Sequence, residues 1–165
     1  MKSFVVDTNV AVTASGRAEQ AGPCCVLACI EALDEVRKRG KLLLDDQMLI
    51  LDEYEKRLSR SGQPGPGDAF MKWAHRNQAV PTHCQKVPIH PKWEDGQSFE
   101  EFPDDPDLGG FDRDDRKFVA VAIASRRRPE VLNAVDSDWW LFRQPLARHG
   151  VKIEFVCPEQ FADRP

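Results

Sequence analysis

Short apolar runs recur along the chain and predict the strands of a buried sheet. The first run is Phe4, Val5 and Val6, and a continuous run of this kind is typical of a strand with both faces covered. Comparable runs, or segments in which apolar and polar residues alternate, occupy residues 41–45, 84–87, 131–135 and 151–156. The pattern predicts a strand at each of these places.

Between these runs, apolar residues recur every three or four positions, as they do on the inner face of an amphipathic helix. The longest such segment, residues 23–39, begins with Pro23 at a favourable first helical position and is followed by Gly40, a common stop. Further helices are predicted at residues 48–58, 111–123 and 138–149 and from residue 68 onward. Strands that alternate with helices predict an α/β fold, a three-layer sandwich around a mainly parallel central sheet.

A chain of 165 residues has the size of one domain, so we expect a single domain over residues 1–165. Its least regular part is an acidic, proline-rich stretch at about residues 88–110, which predicts a long surface loop. No apolar run approaches the roughly 20 residues that cross a bilayer, and the first residues lack the pattern of a secretory signal. These features predict a cytoplasmic protein without a membrane partner.

Cysteine spacing and net charge argue against a cysteine-ligated metal site and against a basic surface over the whole protein. The cysteines form no Cys-x-x-Cys pair and share no ligand spacing with the histidines, so we expect reduced, mostly buried thiols. A net charge of −4 gives no global basic surface for nucleic acid. Basic clusters at residues 37–41, 56–60 and 126–128 provide local positive charge, although such clusters are commonly solvated helix ends.

Two acids follow predicted strands directly. Asp7 comes after the first strand, and Asp136 comes after the strand at residues 131–135. In a parallel sheet the carboxyl ends of the strands meet at one edge, which is where ligands bind. Two carboxylates at that edge repel each other unless a cation or a proton lies between them. Taken alone, Asp7 is equally consistent with an Asx-type turn at the end of a strand.

Two further acids lie on predicted helices. Asp115 precedes apolar residues of its helix by three, four and seven positions, which places it on the buried stripe. Glu53 follows Ile50 by three positions on the helix after the second strand. Each has an ordinary alternative, since a first-turn Asp is favourable against the helix dipole and a mid-helix Glu is usually solvated. Rival acids stand beside them, namely Asp112 and Asp114 for Asp115, and Asp52 for Glu53.

The order and spacing of these four acids resemble the PIN domain, a family of metal-dependent ribonucleases. The matching segments are Phe-Val-Val-Asp-Thr-Asn, Asp-Glu-Tyr, Asp-Asp-Arg-Lys-Phe-Val-Ala-Val-Ala and Ala-Val-Asp-Ser-Asp-Trp, and together they cover nearly the whole chain. The resemblance implies that Asp7, Glu53, Asp115 and Asp136 are catalytic. It also implies that Asp7, Asp115 and Asp136 bind the metal.

The resemblance extends to supporting residues and to one departure. It implies supporting roles for Asn9, beside the first acid, and for Asp138, behind the last. Thr8 and Asp112 are further supporting candidates, and each can instead cap a helix. The family frequently has Thr or Ser two residues before the last acid, but this chain has Ala134 there. The departure puts a supporting hydrogen bond in doubt, while the metal ligands themselves are unaffected.

Carboxylates without a soft Cys or His set suit Mg²⁺, with Mn²⁺ as a substitute. Two such ions about 3.5–4 Å apart activate water and stabilise the leaving oxygen at a phosphodiester. We therefore expect a divalent-metal-dependent endoribonuclease whose basic clusters hold RNA by its phosphates. Because many PIN proteins of this size are toxins of toxin–antitoxin pairs, the resemblance also implies an antitoxin partner and a homodimer.

Two other functions compete with this prediction. The first is a catalytically inactive PIN-like module that binds RNA or protein, with the acidic stretch recruiting a partner or covering the site. The second is a phosphatase that uses an aspartyl nucleophile. That chemistry requires a second Asp two residues after the first, and the chain has Asn9 at this position, which argues against it.

Overall fold

The computed structural model describes residues 1–92 and 97–165. The first half of the chain forms β1 (Ser3–Val6), α1 (Thr8–Ala14), α2 (Pro23–Arg39), β2 (Lys41–Asp45), α3 (Leu49–Arg57), α4 (Pro66–Asn77) and β3 (Cys84–Val87). The second half forms β4 (Pro91–Lys92), β5 (Ser98–Phe99), α5 (Arg116–Ala124), β6 (Glu130–Asn133), α6 (Ser137–Leu141), α7 (Arg143–Arg148) and β7 (Lys152–Phe155). Short 3₁₀ helices lie at Pro106–Leu108, Arg113–Asp115 and Pro158–Phe161.

The main sheet has the strand order β3-β2-β1-β6-β7, and every neighbouring pair in it is parallel. In the central strand β1, Phe4 pairs with Leu42 on one side and with Glu130 on the other. Val5 and Val6 are completely buried, as expected for a strand covered by helices on both faces. The prediction of an α/β three-layer sandwich with a mainly parallel sheet is therefore confirmed.

The chain order of the strands creates a switch point between β1 and β6. From β1 the chain builds outward through β2 to β3, and it then returns to the other side of β1 to add β6 and β7. Crossovers therefore leave in opposite directions at the carboxyl ends of β1 and β6, which opens a crevice there. Asp7 directly follows β1, and Asp136 comes in the turn between β6 and α6. Both predicted acids therefore lie at this crevice.

Two predicted elements are wrong in part. The helix expected at residues 138–149 is divided into α6 and α7 at Phe142. Pro145 has no backbone N–H to donate to the carbonyl of Leu141, so one continuous helix is unfavourable. The surface loop expected at about residues 88–110 contains the antiparallel pair β4 and β5.

That stretch also contributes side chains to the core. Phe99, Phe102 and Leu108 are buried, and the ring of Phe102 stacks on that of Phe111 at 6.0 Å between centroids. Prolines and acids separate these apolar residues along the chain, so the sequence shows no periodicity there. Glu94 and Asp95, which begin the predicted acidic run, lie outside the described residues.

The cysteines differ from the expectation of reduced thiols. Cys25 and Cys157 form a disulfide between α2 and the segment after β7, and the Sγ atom of Cys29 lies 3.9 Å from that of Cys157. The expectation is wrong for this pair. The two residues are 132 positions apart, so their spacing in the sequence does not indicate that the fold brings them together. Among the described helices, none has both the length and the apolar character to cross a membrane.

Candidate metal centre

Asp7, Asp115 and Asp136 converge at the crevice between β1 and β6. Each contributes one carboxylate oxygen to a group whose members all lie within 4.8 Å of one another. Asp7 is 4% exposed and Asp115 is 8% exposed, whereas Asp136 is half-buried. The fold therefore brings together the three acids that the sequence predicts as metal ligands. We refer to them as the acid cluster.

Asp7 both forms a capping turn and lies in the acid cluster, which the sequence left as alternatives. Its Oδ1 accepts a hydrogen bond from the backbone N–H of Asn9 at 3.0 Å, which caps α1. Its Oδ2 accepts a hydrogen bond from Nε1 of the buried Trp139 at 2.7 Å. A carboxylate oxygen has more than one lone pair, so these bonds fix the side chain and leave it able to bind a cation.

Asn9 ties the ends of β1 and β6 together. Its Oδ1 accepts hydrogen bonds from the backbone N–H groups of Ala134 and Val135 at 2.8 and 3.1 Å. Its Nδ2 donates to Oδ1 of the buried Asn133 at 2.8 Å, and Asn133 in turn donates to the backbone carbonyl of Asp136 at 3.1 Å. These side-chain hydrogen bonds of Asn9 and Asn133 hold the turn before Asp136. They do so without the hydroxyl group that the family frequently has at the position of Ala134.

Asp115 is the least satisfied acid of the cluster. It lies where the 3₁₀ turn Arg113–Asp115 meets α5, and its Oδ2 is buried with no hydrogen-bond partner among the described residues. Burial, followed by the negative charges of Asp7 and Asp136, raises the pKa of Asp115 to about 10. Without a cation, its carboxyl group therefore holds a proton at neutral pH.

The same forces act on Asp7 more weakly. Burial, together with the charges of Glu53 and Asp136, raises the pKa of Asp7 to about 6, while the hydrogen bonds from Asn9 and Trp139 limit the rise. Like charges held this close require either a proton or a cation between them. An unpartnered buried oxygen and a set of hard carboxylate ligands fit a divalent cation such as Mg²⁺ or Mn²⁺.

Glu53 lines the same cavity as the acid cluster but is not one of its three members. Its Oε2 accepts a short hydrogen bond from the hydroxyl of Thr8, and its Oε1 accepts one from Nζ of Lys117 at 2.7 Å. The Lys117 side chain is only 12% exposed, so this is a partly buried ion pair. The contact gives Thr8 the supporting position that the sequence predicts as one of its two alternatives.

Asp112 and Asp138 form a link beside the cluster. The Asp112 side chain accepts the backbone N–H of Asp114 and caps the 3₁₀ turn, as its structural alternative predicts. The backbone N–H of Asp112 donates to Oδ2 of Asp138 at 2.8 Å, and burial raises the pKa of Asp138. This bond ties the segment before α5 to α6, which supports the placement of Asp115 near Asp136.

No family model, no curated protein and no solved structure matches this chain. A function must therefore be argued from the residues of this chain and their geometry. The resemblance to the PIN domain stays a prediction from the sequence.

The acid cluster opens into a cavity of about 640 Å³. Its walls come from α1 and the segment after it, from α3, and from the turns that precede α5 and α6. Among the rival acids, Asp112 and Asp114 reach this cavity, whereas Asp52 is exposed and lines a neighbouring one.

Sequence reasoning misses two residues of this site. Lys117, the partner of Glu53, is two positions after Asp115 and carries a charge at the start of a helix, where a Lys is usually solvated. Asn133 is the last residue of β6, inside an apolar run. A polar side chain that interrupts a buried strand needs a partner, and that signal was available from the sequence.

Proposed function

We propose that this protein is a divalent-metal-dependent endoribonuclease of the PIN type that acts with Mg²⁺, or with Mn²⁺ in its place. The observation that supports the proposal is the acid cluster at the switch point, in which Oδ2 of Asp115 is buried and bonded to none of the residues that the structure describes. Structural carboxylates are normally satisfied when buried. A cluster of three carboxylates at a sheet crevice, one of which has an oxygen that no described residue satisfies, is instead typical of a site that takes a cation.

The three carboxylates would hold the metal, which supplies activation of a water and stabilisation of the leaving oxygen during in-line displacement at phosphorus. Hydrogen bonds from Asn9 and Trp139 hold the Asp7 carboxylate. The side-chain amide of Asn133 donates a hydrogen bond to the backbone carbonyl of Asp136 and holds that residue in position. The protein thus sets the ligand positions before any substrate arrives, which lowers the reorganisation that the reaction requires.

Glu53 provides a fourth carboxylate at the wall of the cavity. Thr8 and Lys117 hold its two oxygens from different sides, which restricts its rotation. In this position it orients a water or the substrate relative to the acid cluster, and Lys117 limits the negative charge that an incoming phosphate meets. RNA is the substrate class that the resemblance to the PIN domain implies. The same resemblance leads us to expect an antitoxin partner and a homodimer.

The decisive experiment compares RNA cleavage by wild type and Asp7→Asn with Mg²⁺ or Mn²⁺ and with EDTA. We expect metal-dependent cleavage by wild type and a loss of at least about 100-fold in the variant, because even residues behind metal ligands contribute 10–100-fold. Asp163→Asn is the matched control, since this exposed acid lies near the chain end. Equal metal-dependent cleavage by wild type and Asp7→Asn would overturn the proposal.

A second candidate, a PIN-like module that binds RNA or protein without cutting, is favoured by one observation. The Glu53 carboxylate is already bonded to Lys117 and Thr8 and stands outside the acid cluster. Calorimetric titration with Mn²⁺ separates the two candidates. A nuclease binds Mn²⁺ and loses it when Asp7 and Asp115 are neutralised, whereas the absence of specific binding supports the non-catalytic module.

A further inference from the structure

The three basic clusters of the sequence lie at different edges of the sheet. Residues 37–41 connect the end of α2 to the start of β2, and residues 126–128 directly precede β6. Because β1, β2 and β6 are parallel, both clusters lie at the amino edge. The acid cluster is at the carboxyl edge, and a strand of four residues spans about 13 Å between the two edges.

The third cluster lies on the same side as the acid cluster. Lys56 and Arg57 end α3 and follow Glu53 by three and four residues, so all three share one face of the helix. We call Lys56 and Arg57 the α3 cations. Both are exposed, and both line a cavity of about 400 Å³ that adjoins the acid cavity. Glu53 and Arg57 line both cavities, so the two spaces are continuous along α3.

Other cations near the acid cluster are already engaged. Arg17 pairs with the buried Asp68 at 2.6 Å, and Lys117 pairs with Glu53 at 2.7 Å. The guanidinium of Arg116 donates to backbone carbonyls and packs 4.4 Å from the ring centroid of Phe102. Arg60, the remaining basic residue of the third cluster, pairs with Glu55 at 2.7 Å.

The α3 cations differ from these residues. Neither side chain makes an ion pair or hydrogen bond with any residue that the structure describes, so their charges face solvent at the cavity rim. A polyanion that approaches the acid cluster meets repulsion from its carboxylates and attraction from these two cations. Exposed cations beside a phosphodiester bind it by releasing counterions, with little dependence on base sequence.

We propose that Lys56 and Arg57 form the phosphate-binding subsite for the RNA strand that is cut at the acid cluster, so that the strand runs past Glu53 toward the end of α3. The inference rests on the proposed function. It adds which of the three basic clusters binds RNA and the path that the strand follows from the acid cluster. The clusters at the amino edge make no contact with a strand bound in this way.

The test measures binding of a fluorescein-labelled single-stranded RNA of mixed sequence by anisotropy, in the presence of Mg²⁺. All proteins carry Asp7→Asn so that the RNA stays intact. The test variant adds Lys56→Ala and Arg57→Ala, and the control adds Lys38→Ala and Arg39→Ala. The control pair also consists of an exposed Lys and Arg in the last turn of a helix, α2, and removes the same charge at the opposite edge.

We expect the test variant to bind roughly tenfold more weakly at moderate salt. We also expect its log–log salt slope to fall by about 0.7 for each lost phosphate contact, because single strands release counterions in that proportion. The control should bind like its parent. Equal affinities of the test and control variants, or no salt-dependent binding by the parent, would overturn the inference.

The outcomes separate this inference from the proposed function. If wild type cleaves RNA with metal but the test and control variants bind RNA equally, the nuclease stands and the subsite is rejected. If no protein cleaves RNA but only the test variant loses binding, the subsite stands as part of a binding module and the nuclease is rejected.

Discussion

Asp45 and Asp68 are buried as deeply as the acids of the cluster, but their surroundings differ. Asp68 accepts hydrogen bonds from the guanidinium of Arg17 and from two backbone N–H groups, at 2.6 to 2.9 Å. Asp45 accepts three backbone N–H groups at 2.9 to 3.0 Å at the start of α3. By contrast, Asp115 has other carboxylates for neighbours, and within the described part of the chain its Oδ2 has no hydrogen-bond partner.

The difference shows how a buried acid is assigned to folding or to chemistry. A buried carboxylate surrounded by donors stabilises the fold, because each bond to a charged acceptor contributes about 1.5–3 kcal/mol. A buried carboxylate surrounded by carboxylates destabilises the fold until a proton or cation is bound. Burial alone therefore does not distinguish the two kinds of acid, whereas the presence of neighbouring carboxylates does.

The largest effect is expected for Asp68→Asn, which replaces a fully satisfied carboxylate. The variant loses the ion pair with Arg17 and weakens the bonds from Ser59 and Gly65. We expect a loss of about 2–4 kcal/mol in the free energy of unfolding, measured by urea titration in EDTA. The exposed control Asp163→Asn should stay close to wild type, and an unchanged Asp68→Asn midpoint would contradict the comparison.

The pH dependence of stability, compared over a single pH unit, should come next in size. The folded pKa values of Asp7 and Asp115, about 6 and about 10, exceed the value of 3.8 for an unperturbed Asp. Above about pH 4 the folded protein therefore holds protons that the unfolded chain has released. The stability that these protons provide is full below that pH and is lost as pH rises, by up to about 1.4 kcal/mol per pH unit for each proton.

This loss should continue through pH 6 for Asp7 and toward pH 10 for Asp115. Urea midpoints of the metal-free protein across this range measure it, and Asp115→Asn provides the control because it removes the more strongly shifted group. Mg²⁺ should oppose the decline, because the cation competes with the protons for the same oxygens. Stability of the metal-free protein that rises from pH 6 to pH 8 would count against the assignment.

A smaller effect of opposite sign is expected for Asp115→Asn itself at pH 8. The Asn side chain is neutral without binding a proton, so the metal-free variant avoids the cost of protonating Asp115 at pH 8 and should gain about 1–2 kcal/mol in its free energy of unfolding. The same variant should lose the stabilisation that Mg²⁺ gives to wild type. Thermal unfolding with EDTA and with Mg²⁺ measures both changes, and destabilisation in EDTA would place Asp115 with Asp45 and Asp68.

Much of the fold could be predicted because its signals are local. The bounds of α2, β2 and β3 agree with the predicted residues 23–39, 41–45 and 84–87. The acids after β1 and β6 could also be predicted, since a parallel sheet places strand ends at one edge. The segment at residues 88–110 was not predictable in this way, because its described buried residues, such as Phe99, Phe102 and Leu108, follow no period along the chain.

By itself, the sequence determined the alternation of strands and helices and the position of Asp7 directly after the first strand. These depend on periodicity and on short-range turns, which neighbouring residues encode. Only the tertiary structure decided that Glu53 pairs with Lys117, that Cys25 pairs with Cys157, and that Lys56 and Arg57 line a cavity beside that of the acid cluster. Such contacts depend on the order of strands in the sheet, because residues far apart in the chain meet only once that order is set.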